Sequence, residues 1–513
     1  MSIFLKYILS IIIFFPLLSA LMLVFINKKA EGLLRNLATI LSLAEFVISI
    51  FLFIYFKSNT YQFQFVERFS WIREFGATYF LGIDGVSLFL ILLTTLMTFI
   101  ALLSSYKYIK EHVKEFVILM LVLETFMLGA FASLDILLFY LFWEFMLIPM
   151  YYIIGIWGTG RKVYSAVKFI LYTLAGSLIM LFGLITIFIL HYNQTGNFTF
   201  NLLKLYHTNI PLTLQIILFI AIFLGFAVKI PLFPFHTWLP DAHTEAPTAG
   251  SVILASVLLK FGIYGFFRFA IPLMPEASIL LTPVILVLAV ISIIYGALVS
   301  IVQKDLKRLV AFSSVSHMGF IVLGLFAMTA VSVDGSVLQM INHGISTGAL
   351  FLFVGMLYER SHTRLIADFG GLAKKAPILA ALFMIAVLSS VGLPGLNGFV
   401  GEFLILVGSF KQYTIVTIFA TSGIIFTAVY LLWMFQRVMF QNITNKNNEN
   451  FKDMTLREIM TVLPLILLMF FIGLYPDVLL SRINPTVVHF VNIIEHNKYA
   501  YNLIKAKMGL FNA

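Results

Sequence analysis

Residues 225–247 read GFAVKIPLFPFHTWLPDAHTEAP. An apolar, helix-like run arrives from Leu212, meets Lys229, and then encounters Pro231, Pro234 and Pro240. Apolar sequence continues between these prolines, so the interruption lies inside a membrane segment and not at its end. A lysine in hydrocarbon costs at least about 2.5–3.5 kcal/mol. Broken backbone at that depth is tolerated only where protein buries it or a cavity hydrates it. The bland alternative is a lysine snorkelling to an interface beside a proline kink. Lys229 lies just past the middle of the run 213–239, so a polar pathway is the better reading.

The composition sets the surroundings of this stretch. The chain has 513 residues, of which 61% are hydrophobic and 11% charged, with 54 Phe and no Cys. Such a composition is that of a polytopic membrane protein, with the lipid bilayer as its solvent. Without cysteine the chain itself forms no disulfide, attaches no c-type haem and offers no thiolate to an iron–sulfur cluster. A formal net charge of +10 suggests nucleic acid only superficially. The basic residues are scattered singly in loops, as topology determinants are, and no nucleic-acid partner is expected. The apolar run 8–26 is long and followed by further spans, so it reads as the first anchor and not as a cleaved signal.

Windows near 20 apolar residues give about fourteen transmembrane helices, an all-α polytopic membrane fold. They fall near 4–26, 34–56, 84–106, 115–133, 135–157, 164–191, 212–239, 249–271, 278–301, 307–328, 335–358, 376–409, 414–440 and 458–476. A C-terminal segment, 484–507, reads as amphipathic and lying on the membrane or on a neighbour. The loops 57–79, 192–211, 359–375 and 441–457 are too short to fold alone, so residues 1–513 form a single membrane domain. Loops after odd-numbered helices carry the basic residues, among them Lys28, Lys29, Lys107, Lys110, Arg161, Lys162, Lys304, Arg308, Arg360 and Lys446. The positive-inside rule then places both termini on the outer side.

A second interruption echoes the first. The stretch 389–403, SSVGLPGLNGFVGEF, breaks the twelfth helix at Gly392, Pro394 and Gly395, with Glu402 just beyond. Seventh and twelfth helices are five apart. An odd offset makes the repeat inverted, here about 115–271 and 278–440, and paired interruptions of this kind point to an ion site.

Ionisable residues inside the spans sharpen that reading. Glu144 sits mid-helix in LLFYLFWEFMLIPMYYIIG, Lys229 at the first break, Lys260 mid-helix in GSVILASVLLKFGIYGFF, and Glu402 after the second break. One alone could be a structural charge. Four of both signs argue for a proton relay. Glu124, His317 and His343 are weaker candidates, each also compatible with helix packing. His236, Asp241, His243 and Glu245 have metal-ligand residue types, but their proline-rich setting reads as a fold-holding loop and no metal site is expected. No nucleotide loop or Ser–His–Asp arrangement is present.

The segments FYLFWEFMLIPMYYIIGIWG, AVKIPLFPFHTWLPDAHTEAPTAGSVILASVLLKFGIYG, DLKRLVAFSSVSHMG and GLPGLNGFVGEF together resemble one family. The chain is similar, over essentially its whole length, to the antiporter-like membrane subunits of proton-pumping NADH:quinone oxidoreductase, respiratory complex I. The family's relay residues fall on Glu144, Lys229, Lys260 and Glu402. A glutamate at 402 points to the M-type branch, since the L and N types carry lysine there. The resemblance implies proton translocation, with NADH oxidation, quinone reduction, FMN and Fe–S clusters on partner subunits and no cofactor in this chain. It implies sister antiporter-like chains on either side, in a bacterial or mitochondrial inner membrane. It further assigns Lys229 as switching base, Glu144 as its counter-ion, Lys260 as link and Glu402 as exit group. A subunit of a Mrp-type Na+/H+ antiporter or of a membrane-bound hydrogenase is the alternative in the transporter class. A structural spacer is the alternative of another class, and the buried charges argue against it.

Overall fold

The structure, a computed structural model, describes residues 3–440, 442–443, 445 and 448–507. Its helices are α1 Ile8–Val24, α2 Glu31–Tyr55, α3 Gly85–Ser105, α4 Val113–Ala132 and α5 Ile136–Trp157. Next come α6 Lys162–Thr195, α7 Leu212–Lys229, the short α8 Trp238–Glu245 and α9 Thr248–Leu273. The second half holds α10 Pro275–Ile301, α11 Leu306–Phe326, α12 Ala330–Ser361, α13 Pro377–Val391 and α14 Asn397–Phe410. The chain closes with α15 Thr414–Met439, α16 Leu456–Leu474 and α17 Asp477–Lys507.

Among the described residues, twelve helices are long and apolar enough to cross a membrane. The other two expected spans are the shorter α1 and the helix split into α13 and α14. One departure from all-helical structure is a hairpin in the segment 57–79 and just beyond, where β1 Gln64–Ile72 pairs antiparallel with β2 Ala77–Ile83. It is tied to the bundle through buried Glu67, which accepts hydrogen bonds from Leu9 N (2.9 Å) and Ser10 N (3.1 Å). These are donors in the first turn of α1, which no helical carbonyl can reach. Asp135 does the same work locally: it caps α5 through Leu137 N and Leu138 N and accepts from Thr78 of β2 at 2.9 Å. Asp84 and Asp305 cap α3 and α11 likewise.

Three helices, α9, α11 and α12, are wholly surrounded by the others. The perimeter, including α2, α6, α10 and α15, exposes residues such as Val47, Phe182, Val284 and Phe419 to the lipid side. The most polar candidate residues thus lie where protein, and not hydrocarbon, is their solvent. The C-terminal helix begins at Asp477, seven residues before the expected start at Asn484. Its stripe Leu479, Ile483, Val487, Phe490 and Ile494 is buried, and it packs on α3, α10 and α12. Asn484 donates to Asp334 of α12 at 2.6 Å, which fixes the register of that packing. At the end of the loop 441–457, Arg360 donates to Lys452 O and Asp453 O, and its guanidinium makes a bidentate pair with Glu458 at 2.9 and 2.8 Å; Gln441, Thr444, Lys446 and Asn447 lie outside the described residues.

Candidate proton-relay site

Each interrupted helix solves the problem of its freed backbone groups in its own way. Helix α7 stops at Lys229, eight residues before the next helical turn, and not at Leu239 as the apolar run suggests. The Trp238 indole N–H then donates to Val228 O at 2.9 Å, and Ser292 Oγ of α10 accepts from Phe233 N at 2.9 Å. Between α13 and α14, Gly392 takes a left-handed conformation (φ 86°) that closes α13. Gly398 lies so close to Ser389 O that a Cβ there would sit 2.0 Å from it. Asn397 pins the turn from inside: its carbonyl accepts from Asn342 Nδ2 at 2.7 Å, and its side-chain oxygen accepts from Ser389 Oγ.

Lys229 therefore sits at the last residue of α7, 1% exposed. Its Nζ has no hydrogen-bond partner among the described residues and lies 5.2 Å from the Trp143 ring centroid and 5.9 Å from that of Phe169. A desolvated cation over an indole gains about 2 kcal/mol. Glu144, the neighbour of Trp143 on α5, is near enough for its charge to act on Lys229. No hydrogen bond or ion pair joins the two among the described residues, and Glu144 Oε1 is buried without a partner. The helix is disturbed at this point, since Met146, two residues on, leaves the helical pattern of α5.

Lys260 is wholly buried in α9, between π-helical turns at Leu254–Leu258 and Phe266–Ala270. Such widened turns leave carbonyls free of the i→i−4 ladder. Ala255 O, in the first of them, accepts from Lys260 Nζ. On its other side Lys260 Nζ meets His343 Nδ1 of α12 at 2.7 Å. The ring of His343 lies 5.7 Å, centroid to centroid, from that of His317 on α11. His317 Nδ1 in turn contacts Glu402 Oε1 of α14 at 2.9 Å, and Gln339 Nε2 donates to the same oxygen at 3.1 Å. The Nε2 atoms of both histidines are buried and unpartnered. The result is one buried line, Lys260–His343–His317–Glu402, running across four helices. Its members alternate groups that can hold a proton with groups that can pass one.

The structure thus brings His317 and His343 into the line with Lys260 and Glu402. It brings Glu144 to Lys229. No side-chain hydrogen bond joins Lys229 to Lys260 among the described residues. Glu124 lies elsewhere: it faces Thr98 of α3 and Glu45 of α2. The four metal-type residues do not converge among the described residues. Asp241 pairs with Lys168 at 2.7 Å and Arg308 at 3.3 Å. His243 stacks on Phe351 at 4.7 Å, and His236 lies edge-on to Tyr295 at 5.0 Å.

Gln339 escapes a reading of the sequence, which gives His243 only as one of four metal-type residues in a fold-holding loop. Gln339 stands four residues before His343, hence on the same helix face, and that spacing is the signal that could have found it. His243 is fully buried with both ring nitrogens unpartnered, and its electrostatic neighbours are Lys307 and Lys260. Only the packing of α8 against α11 and α12 reveals this.

Residues 133–429, which hold both interrupted helices and the whole buried line, match the family described as "NADH:quinone oxidoreductase/Mrp antiporter, TM". The chain belongs to this family. The oxidoreductase/antiporter match extends beyond the shared segment. NADH-quinone oxidoreductase subunit M of Rickettsia bellii (strain RML369-C) is 47% identical over 485 residues, 94% of this chain and 97% of the relative. A chain of respiratory complex I from Thermus thermophilus with bound NADH has a TM-score of 0.87 at 32% identity, covering 95% of this chain and 99% of that one. A chain of the Mrp complex from Dietzia sp. DQ12-45-1b has a TM-score of 0.82 at 18% identity, covering 95% of this chain and 99% of that one, which is a likeness of fold.

Proposed function

We propose that this chain is the M-type proton-translocating subunit in the membrane arm of NADH:quinone oxidoreductase, respiratory complex I. The observation that carries the reading is the buried line from Lys260 to Glu402, set in a fold whose closer relatives are subunit M chains. Redox chemistry belongs to partner subunits, which hold FMN and the Fe–S clusters. Sister antiporter-like chains flank this one in a bacterial or mitochondrial inner membrane. Both termini face the outer side, and the units 115–271 and 278–440 are inverted repeats within one membrane domain. The Mrp-type reading is supported by the shared family segment and by fold, without a relative of comparable identity among those compared.

Lys229 is the switching base, loaded when its ammonium is drawn toward Glu144 and unloaded when it faces Trp143 and Phe169. A lysine–carboxylate contact near 4 Å is worth on the order of 4 kcal/mol at an effective dielectric near 20. Moving one charge against about 200 mV needs roughly 4.6 kcal/mol. Closing and opening one pair is therefore of the right size to drive one proton. From Lys260 the proton passes to His343 Nδ1. His343 Nε2 and His317 Nε2 form the middle of the route, and His317 Nδ1 delivers to Glu402 Oε1. Gln339 holds that carboxylate toward the histidine.

Lys260→Ala tests the reading. Membranes matched for assembled complex should lose NADH-driven proton uptake by more than about tenfold, or about 1.4 kcal/mol in barrier terms. A normal proton stoichiometry in the assembled variant would remove the line from the translocation path.

A further inference from the structure

A cavity of about 210 Å³ opens on the lipid side of the bundle. Helices α2 and α16 both pack on α3 and leave the cavity between them as a slot, with α12 and the first turn of α17 completing its wall. Phe46, Ile50 and Phe53 of α2, Ile341 and Ile345 of α12 and Phe471 of α16 are among its lining residues, all of which are apolar. Phe471 is exposed and the three α2 residues are half-buried, so hydrocarbon has access from the side. Apolar cavities of roughly 150 Å³ stay dry and take up apolar molecules instead. From Phe46 to Phe53 the slot runs about 10 Å along the helix axis. That length fits within one leaflet, half of a hydrocarbon core of about 30 Å. A cavity of this volume and length has a cross-section of about 20 Å², far below that of a helix some 10–12 Å across. The slot therefore has room for an acyl chain and none for a further helix.

Arg482 of α17 stands at the end of the slot marked by Phe53. Its guanidinium stacks over the Phe53 ring at 4.1 Å, and its Nη1 donates to the carbonyl of Val478, another lining residue, at 2.8 Å. Helix α3 fixes the placement. Gly85 lies so close to Arg482 O that a Cβ there would sit 1.9 Å from it, and Gly85 N donates to Thr486 Oγ1 at 3.3 Å. The arginine is half-buried and its Nε has no hydrogen-bond partner. No carboxylate pairs with it among the described residues. A guanidinium stacked on a ring is a planar fork of donors that suits a phosphate, and here its charge has no protein counterpart. We propose that the slot and Arg482 form a phospholipid-binding site, with one acyl chain lying along residues 46–53 of α2 and the headgroup phosphate against the Arg482 guanidinium. The chain also packs on α12 at Ile341 and Ile345, which flank His343 in sequence, so the lipid backs the helix that carries one member of the buried line.

Photolabelling of the assembled complex in phosphatidylcholine nanodiscs tests this. Two tracers carry the same acyl chain with a mid-chain diazirine; one is a phosphatidylcholine, the other a diacylglycerol that lacks the phosphate. Adducts on Phe46, Ile50 and Phe471 are measured against those on Phe182, which is exposed to the lipid side far from any arginine fork. In the slot the phosphatidylcholine tracer should be favoured about tenfold over the diacylglycerol, the effect of a hydrogen bond to a charged group. Arg482→Gln should bring that preference close to one. Equal labelling by the two tracers in the wild type would overturn the headgroup site, and a preference that survives Arg482→Gln would overturn the role of the arginine. Ile50→Trp, which fills the slot, should remove both tracers from it, and undiminished labelling of Phe46 and Phe471 would place the chain elsewhere. A wild-type slot with no adduct at all would be covered by another polypeptide, which overturns the proposal. The tracer comparison in the wild type needs no variant, so it decides the matter even if a variant fails to assemble.

Discussion

The two helix interruptions differ in how they treat the charge they expose. At the first, Lys229 lies unpartnered against Trp143 and Phe169, with Glu144 near but not bonded. At the second, Glu402 is wired on two sides, by His317 at 2.9 Å and Gln339 at 3.1 Å. One break keeps its charge free to move, and the other keeps it fixed. Under the proposed function, the same backbone device serves a switch in one half of the molecule and a terminal in the other. A free charge gains much from a change of partner, whereas a bonded one changes protonation without moving.

If the first break is the switch, its variants should be the most damaging. Lys229→Ala should cut NADH-driven proton uptake by more than about tenfold. Lys229→Arg should be nearly as harmful, because a guanidinium stays charged and cannot release the proton. Glu144→Gln, which removes the carboxylate that draws Lys229 over, should assemble and yet fail in the same assay. Normal uptake in any assembled member of this set would place the switch elsewhere.

The second break is probed by charge sign. Glu402→Asp should retain much of the activity, Glu402→Gln should be slow, and Glu402→Lys should be worse than Gln. A lysine there would set a further cation against His317, with Lys260 along the same line and no carboxylate left at its end. Lysine performing as well as aspartate would show that this terminal needs only an ionisable group. A smaller effect is expected when the wiring alone is cut. Gln339→Ala removes one hydrogen bond to the Glu402 carboxylate, worth about 1.5–3 kcal/mol, and leaves the His317 route in place. Proton uptake should fall while quinone reduction in uncoupled membranes persists; an equal fall in both would point to misassembly instead. The smallest effect belongs to Trp143→Phe. The ring remains but is a poorer cation acceptor, so a change of about twofold in uptake is expected. A loss as large as that of Lys229→Ala would mean that the aromatic cage, and not Glu144, sets the state of the lysine.

Much of this was legible in the sequence, and for a physical reason. Charge in hydrocarbon is expensive enough that Glu144, Lys229, Lys260 and Glu402 each stand out alone in an apolar run. The broken helices were legible because proline and glycine announce them, although the end of α7 was not: the residues after Lys229 are as apolar as those before. Partnership was illegible. Glu45 is the only charged residue between Arg35 and Lys57, as conspicuous as Glu144, yet nothing in one dimension brings it within electrostatic reach of Glu124. The histidines could not be ranked either, since a ring nitrogen hydrogen-bonded for packing and one set in a relay have the same sequence surroundings. The hairpin was hidden inside a loop because its strands gain their meaning from α1, whose start Glu67 of β1 caps, and from Asp135 at the start of α5, to which Thr78 of β2 donates.

That hairpin bears on how the protein is made. The first helix enters the bilayer with the amides of Leu9 and Ser10 lacking their acceptor, and the acceptor is a carboxylate almost sixty residues downstream. Residue 67 returns to the end of the bundle where the first helix begins only after the second helix has been threaded, and until then the first cannot settle at its final depth. Insertion of the opening pair is therefore a joint event. A nascent chain halted short of Glu67 carries an anchor still able to slide, and the arrival of one side chain latches it.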